Sequence, residues 1–133
     1  MASVTLADVQ FIERGPALVA RLTGEIDLSN SEALGTAITE TTPKHMEAVI
    51  LDLGGVDYLD SAGIRLIYRL REQLRGRGQI LSLVIPADSP AYDALRFAGV
   101  DRHIDMAETT EQALSELDRT SAFGALDPGE GQL

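Results

Sequence analysis

The residues of this chain best suited to chemistry are a serine and the carboxylates around it. Ser61 follows Asp60 in the run Tyr58-Leu59-Asp60-Ser61-Ala62-Gly63-Ile64, where an apolar strand-like pattern gives way to helical spacing. A serine at such a transition is a candidate nucleophile. The nucleophile elbow G-x-S-x-G, however, needs glycine where Leu59 stands. The general base would have to be His45 or His103, the two histidines of the chain. These facts argue against a serine hydrolase. Asp57 and Asp60 could pair for acid–base work, but no cofactor motif accompanies them, and solvated loop acids are the simpler account. As a helix N-cap, Ser61 would satisfy a free backbone N–H, contributing about 1 kcal/mol.

Other chemistries are disfavoured by composition. The chain has no cysteine, so neither a disulfide nor a thiolate metal site is expected, and two histidines are few for zinc. The single lysine, Lys44, follows Pro43 and belongs to no phosphate-binding G-x-x-x-x-G-K-[ST] loop. No catalytic, metal or cofactor site is expected. The net charge of −10 opposes binding to nucleic acid or to anionic membranes. Five arginines nevertheless fall between Arg65 and Arg77. Such a stripe is either an interface or a solvated helix face, and the interspersed Glu72 favours the solvated face. With no run of about 18 apolar residues and no signal-like layout over Met1–Asp8, a soluble cytoplasmic protein is expected.

The elements that must position Ser61 read as a single α/β domain. Val4–Ile12 and the alternation of Leu18, Ala20 and Leu22 predict an opening hairpin turning at Gly15-Pro16 and ending at Gly24. Ser29 and Glu32 form a capping-box pattern ahead of a helix with Ala33, Leu34, Ala37 and Ile38 on one stripe, stopped at Thr41-Thr42-Pro43. Ala48–Leu53 predicts a buried central strand broken by Gly54-Gly55. Ile64, Ile67, Leu70 and Leu74 predict a second helix, and Ile80–Ile85 another strand. Ser89-Pro90 opens a third helix with Tyr92, Leu95 and Ala98 inward and Gly99 as its stop. Ile104 and Met106 suggest an edge strand, and Thr109 with Gln112 the capped start of a fourth helix. Alternation of strands and helices implies a mostly parallel mixed sheet with right-handed crossovers. The domain is expected to span residues 1–119, with 120–133 as a flexible C-terminal tail.

Three segments together resemble the STAS domain family, and within it the anti-sigma factor antagonists (anti-anti-sigma factors). They are L-T-G-E-I-D at Leu22–Asp27, V-I-L-D-L at Val49–Leu53, and Y-L-D-S-A-G-I at Tyr58–Ile64. The resemblance covers about Val4–Leu117 and implies a STAS-like α/β fold with about four helices. It implies a non-enzymatic partner-switching regulator, phosphorylated on the serine of D-S-x-G by an anti-sigma factor serine kinase and dephosphorylated by a PP2C-like phosphatase. The unphosphorylated form would bind the anti-sigma factor and release a sigma factor. Carried onto this chain, the acceptor is Ser61, and Asp27, Asp60, Ser61, Ala62 and Gly63 form the partner-binding surface. Ala62 stands where some family members have Ser or Thr. The alternative is a STAS scaffold module in a stressosome-like or transporter-associated complex.

Overall fold

The computed structural model describes residues 7–126, with side chains through residue 119. The hairpin forms as its sequence dictates. β1 (Ala7–Arg14) and β2 (Ala17–Ile26) pair antiparallel with Arg14 opposite Ala17. Gly15, at φ 57°, takes the left-handed conformation that a two-residue turn requires. The expected strand start at Val4 lies outside the described residues.

Beyond the hairpin the chain alternates: α1 (Ser31–Thr41), β3 (Ala48–Leu59), α2 (Ser61–Arg75), β4 (Ile80–Val84), α3 (Pro90–Phe97), β5 (Met106–Ala107) and α4 (Thr110–Leu126). The strands line up as β1-β2-β3-β4-β5, parallel from β2 onward. This is the mixed α/β sheet with an opening hairpin and four helices that the sequence predicts.

Period-two alternation divides the sheet into two apolar faces. Ala20, Leu22, Val49, Leu51, Leu53 and Leu83 pack against α1, α2 and α3. Right-handed crossovers between successive strands stepping in one direction put all three helices there. Ala17, Val19, Ala48, Ile50, Val84 and Ala107 form the other face, against Ala113 and Leu117 of α4. On α2, Leu66, Ile67, Leu70 and Leu74 are all fully buried. At roughly 1.5–3 kcal/mol per buried aliphatic side chain, packing outweighs any single cap in holding that helix.

Several local expectations are corrected. Neither Gly24 nor Gly54-Gly55 ends a strand. β2 and β3 remain paired to Ile26 and Leu59 through register shifts near Thr23 and Gly24. Gly55 makes this possible: a Cβ there would lie 2.7 Å from Thr23 Cγ2 and 3.2 Å from the Leu22 carbonyl oxygen. Ser29 does not cap α1. Its hydroxyl donates to Asp27 Oδ1 at 2.6 Å, and the helix begins one residue later behind Asn30. Ser89 precedes Pro90 as expected, but its Oγ makes no capping bond and is buried without a partner. In α3, Ala91 and Leu95 are buried, Tyr92 is half-buried and Ala98 is exposed.

Gly99 takes the predicted left-handed stop at φ 78°. The Gln112 N–H donates to Thr109 Oγ1, while Gln112 Oε1 accepts from the Glu108 N–H. The capping box at α4 therefore forms, with its return arm one residue earlier than the usual pattern. α4 itself continues to Leu126, past the boundary expected at residue 120; residues 127–133 of the expected tail lie outside the described residues.

Candidate functional site

The site is built where β2 and β3 end side by side. Glu25 pairs with Tyr58 and Ile26 with Leu59, so L-T-G-E-I-D and Y-L-D-S-A-G-I meet at the carboxyl edge of the sheet. Functional loops of open α/β sheets collect at this edge. The Asp60 N–H donates to the Ile26 carbonyl oxygen at 3.4 Å, tying the two segments where the strands stop.

Asp60, not Ser61, is the N-cap of α2. Its backbone is extended (φ −105°, ψ −166°), and its Oδ1 accepts from the N–H of Ala62 at 2.8 Å and of Gly63 at 3.3 Å. That is the standard geometry for satisfying the free amides of a first turn. Ser61 is thereby shifted to the first helical position. Its side chain is exposed, and among the described residues its hydroxyl makes no hydrogen bond.

Asp27 builds the facing loop. Its Oδ1 accepts from the Ser29 N–H at 2.9 Å and from the Ser29 hydroxyl. The Asp27 N–H donates to Asn30 Oδ1, whose amide in turn donates to the Glu25 carbonyl at 2.8 Å. Buried Asn30 thus fixes the turn that carries Asp27 beside the start of α2. Nothing in the spacing had marked Asn30 for this role.

Of the five residues expected at a partner-facing surface, Asp27, Asp60 and Ser61 come together at this edge of the sheet, Ser61 the most exposed of them. Ala62 and Gly63 are buried, Ala62 to 3% exposure, and line the packing beneath Ser61. The same edge exposes two large apolar side chains that the sequence reading had not singled out. They are Leu28, at 76% exposure, and Tyr58, at 51%. Leu28 sits in the polar loop after Asp27; Tyr58 is three residues before Ser61.

His45 precedes β3, and His103 precedes β5. Because these strands are parallel, both histidines lie at the opposite edge of the sheet from Ser61. A serine nucleophile needs its base within hydrogen-bond reach, so this arrangement does not assemble one. Among the described residues, no group of three or more His, Cys, Asp or Glu side chains is placed to hold a metal, and no helix is long and apolar enough to cross a membrane.

The STAS domain family matches residues 8–113, from within β1 to within α4. The chain belongs to the STAS family. It is 29% identical over 114 residues to the anti-sigma-F factor antagonist RsfB of Mycobacterium tuberculosis, covering 85% of this chain and 87% of that one. A shorter match, 38% identical over 58 residues, links it to BtrV of Bordetella bronchiseptica; it spans 44% of this chain and half the length of BtrV. The fold superposes on the crystal structure of an anti-sigma factor antagonist from Mycobacterium paratuberculosis with a TM-score of 0.73 at 22% identity, over 83% of this chain and 92% of that one.

Proposed function

We propose that this STAS domain is a phosphorylation-controlled partner switch of the anti-sigma factor antagonist type, with Ser61 as the acceptor. On this reading the unphosphorylated domain binds an anti-sigma factor that is a serine kinase, and so frees a sigma factor in the cytoplasm. Phosphorylation of Ser61 ends the complex, and a PP2C-like phosphatase restores it. The domain performs no catalysis of its own.

One observation carries the proposal. Asp60 takes over the capping duty, which leaves the Ser61 hydroxyl exposed and uncommitted on a rigid helix start. A kinase can reach it without unfolding the helix. The phosphate adds a charge of about −1.5 to −2 at neutral pH. It would arrive beside Asp60, at an edge that also carries Asp27 and, in β3, Asp57. An interface fitted to a hydroxyl would then meet added negative charge and added bulk, and an element set against the complex in this way discriminates between two states of one surface. A differential affinity of a few kcal/mol suffices to change partner occupancy.

The test begins with co-purification of the anti-sigma factor from the native host. Mass spectrometry after incubation with that factor and ATP should place one phosphate on Ser61. Titrations should show tight binding for the unmodified protein and for Ser61→Ala, and weak binding for the phosphorylated protein and, in part, for Ser61→Asp. Phosphate solely at another residue would overturn the acceptor assignment. Equal affinity of the modified and unmodified forms would overturn the switch. Stable incorporation into a larger assembly with no phosphorylation would replace it with a scaffold role.

A further inference from the structure

We propose that Arg65 is the built-in counter-charge for a phosphate on Ser61, so that the modified site is held as a phosphoserine–arginine pair along the first turn of α2. This rests on the reading of Ser61 as the acceptor and adds to it a residue that no D-S-x-G motif contains.

A phosphate at a helix start ordinarily docks on free backbone amides. Here that host is largely occupied, with the N–H of Ser61 itself the one amide of the first turn that has no acceptor. Asp60 Oδ1 already accepts from Ala62 N–H and Gly63 N–H, and both residues are buried. The Ile64 N–H is also engaged, donating to the Asp60 carbonyl at 3.1 Å. The Asp60 carboxylate adds repulsion. A single amide does not make an anion site, so the positive partner of the phosphate is sought among side chains.

Arg65 is four residues after Ser61, and both side chains are exposed. Residues so spaced are neighbours on one face, with Cβ atoms about 5–6 Å apart. The order is the favourable one, with the anion toward the helix N-terminus and the cation after it. Arginine also suits phosphate through paired, charge-assisted N–H donors.

The neighbouring arginines are differently placed. Arg71 and Arg75 lie 3.9 Å and 3.2 Å from Glu72 Oε2. Arg77 donates to the carbonyls of Thr39 and Thr42. Arg69 is a further turn along, in a groove with Glu32 and Gln73. Arg65 has no ion pair among the described residues. It alone of the five is both within reach and uncommitted.

The experiment needs neither kinase nor partner. Phosphoserine is installed at position 61 of the full chain during translation, by stop-codon suppression. Its second ionisation is followed by phosphorus NMR across pH in the parent, Arg65→Lys, Arg65→Gln and Arg69→Gln. A nearby cation favours the dianion while the carboxylates of Asp60, Asp27 and Asp57 oppose it in every variant, so the contribution of Arg65 is read as a difference between variants and not against the usual value near 6. Arg65→Gln should raise the midpoint by about 0.2–0.4 pH units, the size expected of one exposed pair of this spacing. Arg65→Lys should restore most of the shift, and Arg69→Gln should leave the midpoint where it is. Identical midpoints for the parent and Arg65→Gln, or an equal change in Arg69→Gln, would overturn the pairing. The acceptor assignment fails separately: a normal Arg65 effect in installed phosphoserine, with no kinase-dependent phosphate on Ser61, would reject the switch and leave the pair standing.

Discussion

A Cβ placed on Gly63 would lie 2.7 Å from Cγ of Leu59, the last residue of β3. It would also sit 3.3 Å from Cγ2 of Ile26, where β2 ends. The glycine of D-S-A-G is therefore a packing requirement: it lets the first turn of α2 rest directly on the two strand ends. Backbone conformation does not demand it, since Gly63 is helical and has no positive φ.

Gly63→Ala should accordingly destabilise the domain. Leu59 is buried and its Cγ cannot swing away as a side-chain tip could, so the cost of overpacking should be about 1–3 kcal/mol. Urea unfolding should show a lower midpoint with an unchanged slope. A midpoint equal to that of the parent would mean that α2 shifts freely on the sheet edge.

Asp60 should separate capping from charge. Asp60→Ala removes the acceptor for two amides and should cost about 1–2 kcal/mol, whereas Asp60→Asn caps nearly as well and should cost little. Both unfolding midpoints can be read in the same denaturant series. Equal losses in the two variants would show that the carboxylate charge, rather than the cap, is what α2 needs.

Ser61→Ala should change unfolding free energy by less than about 0.5 kcal/mol, because the exposed hydroxyl has no partner within the domain. Calorimetry provides the check. A loss of about 1 kcal/mol or more would return Ser61 to a capping role and weaken the view of it as a free acceptor.

Leu28→Ser and Tyr58→Ala should leave stability nearly unchanged, since both side chains are largely exposed. On the proposed function they should weaken anti-sigma factor binding about tenfold or more, as expected when an apolar interface anchor is removed. Calorimetric titration of each variant tests this. Parent-like affinity in both would move the interface away from this edge.

Much of this architecture was legible because periodicity reports directly on burial. The apolar runs of β3 and β4 and the three- and four-residue spacing on α2 point to the faces that pack. Glycine was the ambiguous letter. At Gly15 it lies in the expected turn and at Gly99 it makes the expected left-handed stop, while at Gly55 it permits two strands to pass closely and the pattern continues. Both meanings have the same local signature, and only the neighbouring strand distinguishes them. The cap of α2 was misplaced by one residue for a related reason. Asp and Ser are both good caps, and the choice follows from where β3 stops, fixed by the bond from Asp60 N–H to Ile26. Leu28 and Tyr58 could not be picked out, because an apolar residue shows its exposure only when the packing opposite it is known. Arg65 was visible as part of a charged stripe, but its freedom depends on which of its neighbours are already engaged.

The strand order β1-β2-β3-β4-β5 carries a consequence for how the chain acquires its shape. Each strand pairs only with those adjacent to it in sequence, so none has to be inserted between two that were made earlier. A ribosome delivering the chain from its N-terminus supplies the strands in the order in which the sheet can accept them. The hairpin offers the first open edge, and each later strand, returning through its helix, extends that edge by one. This order allows the ends of β2 and β3 to be set side by side before β4 has emerged, so the seat of Ser61 can be laid down while the far side of the sheet is still being made.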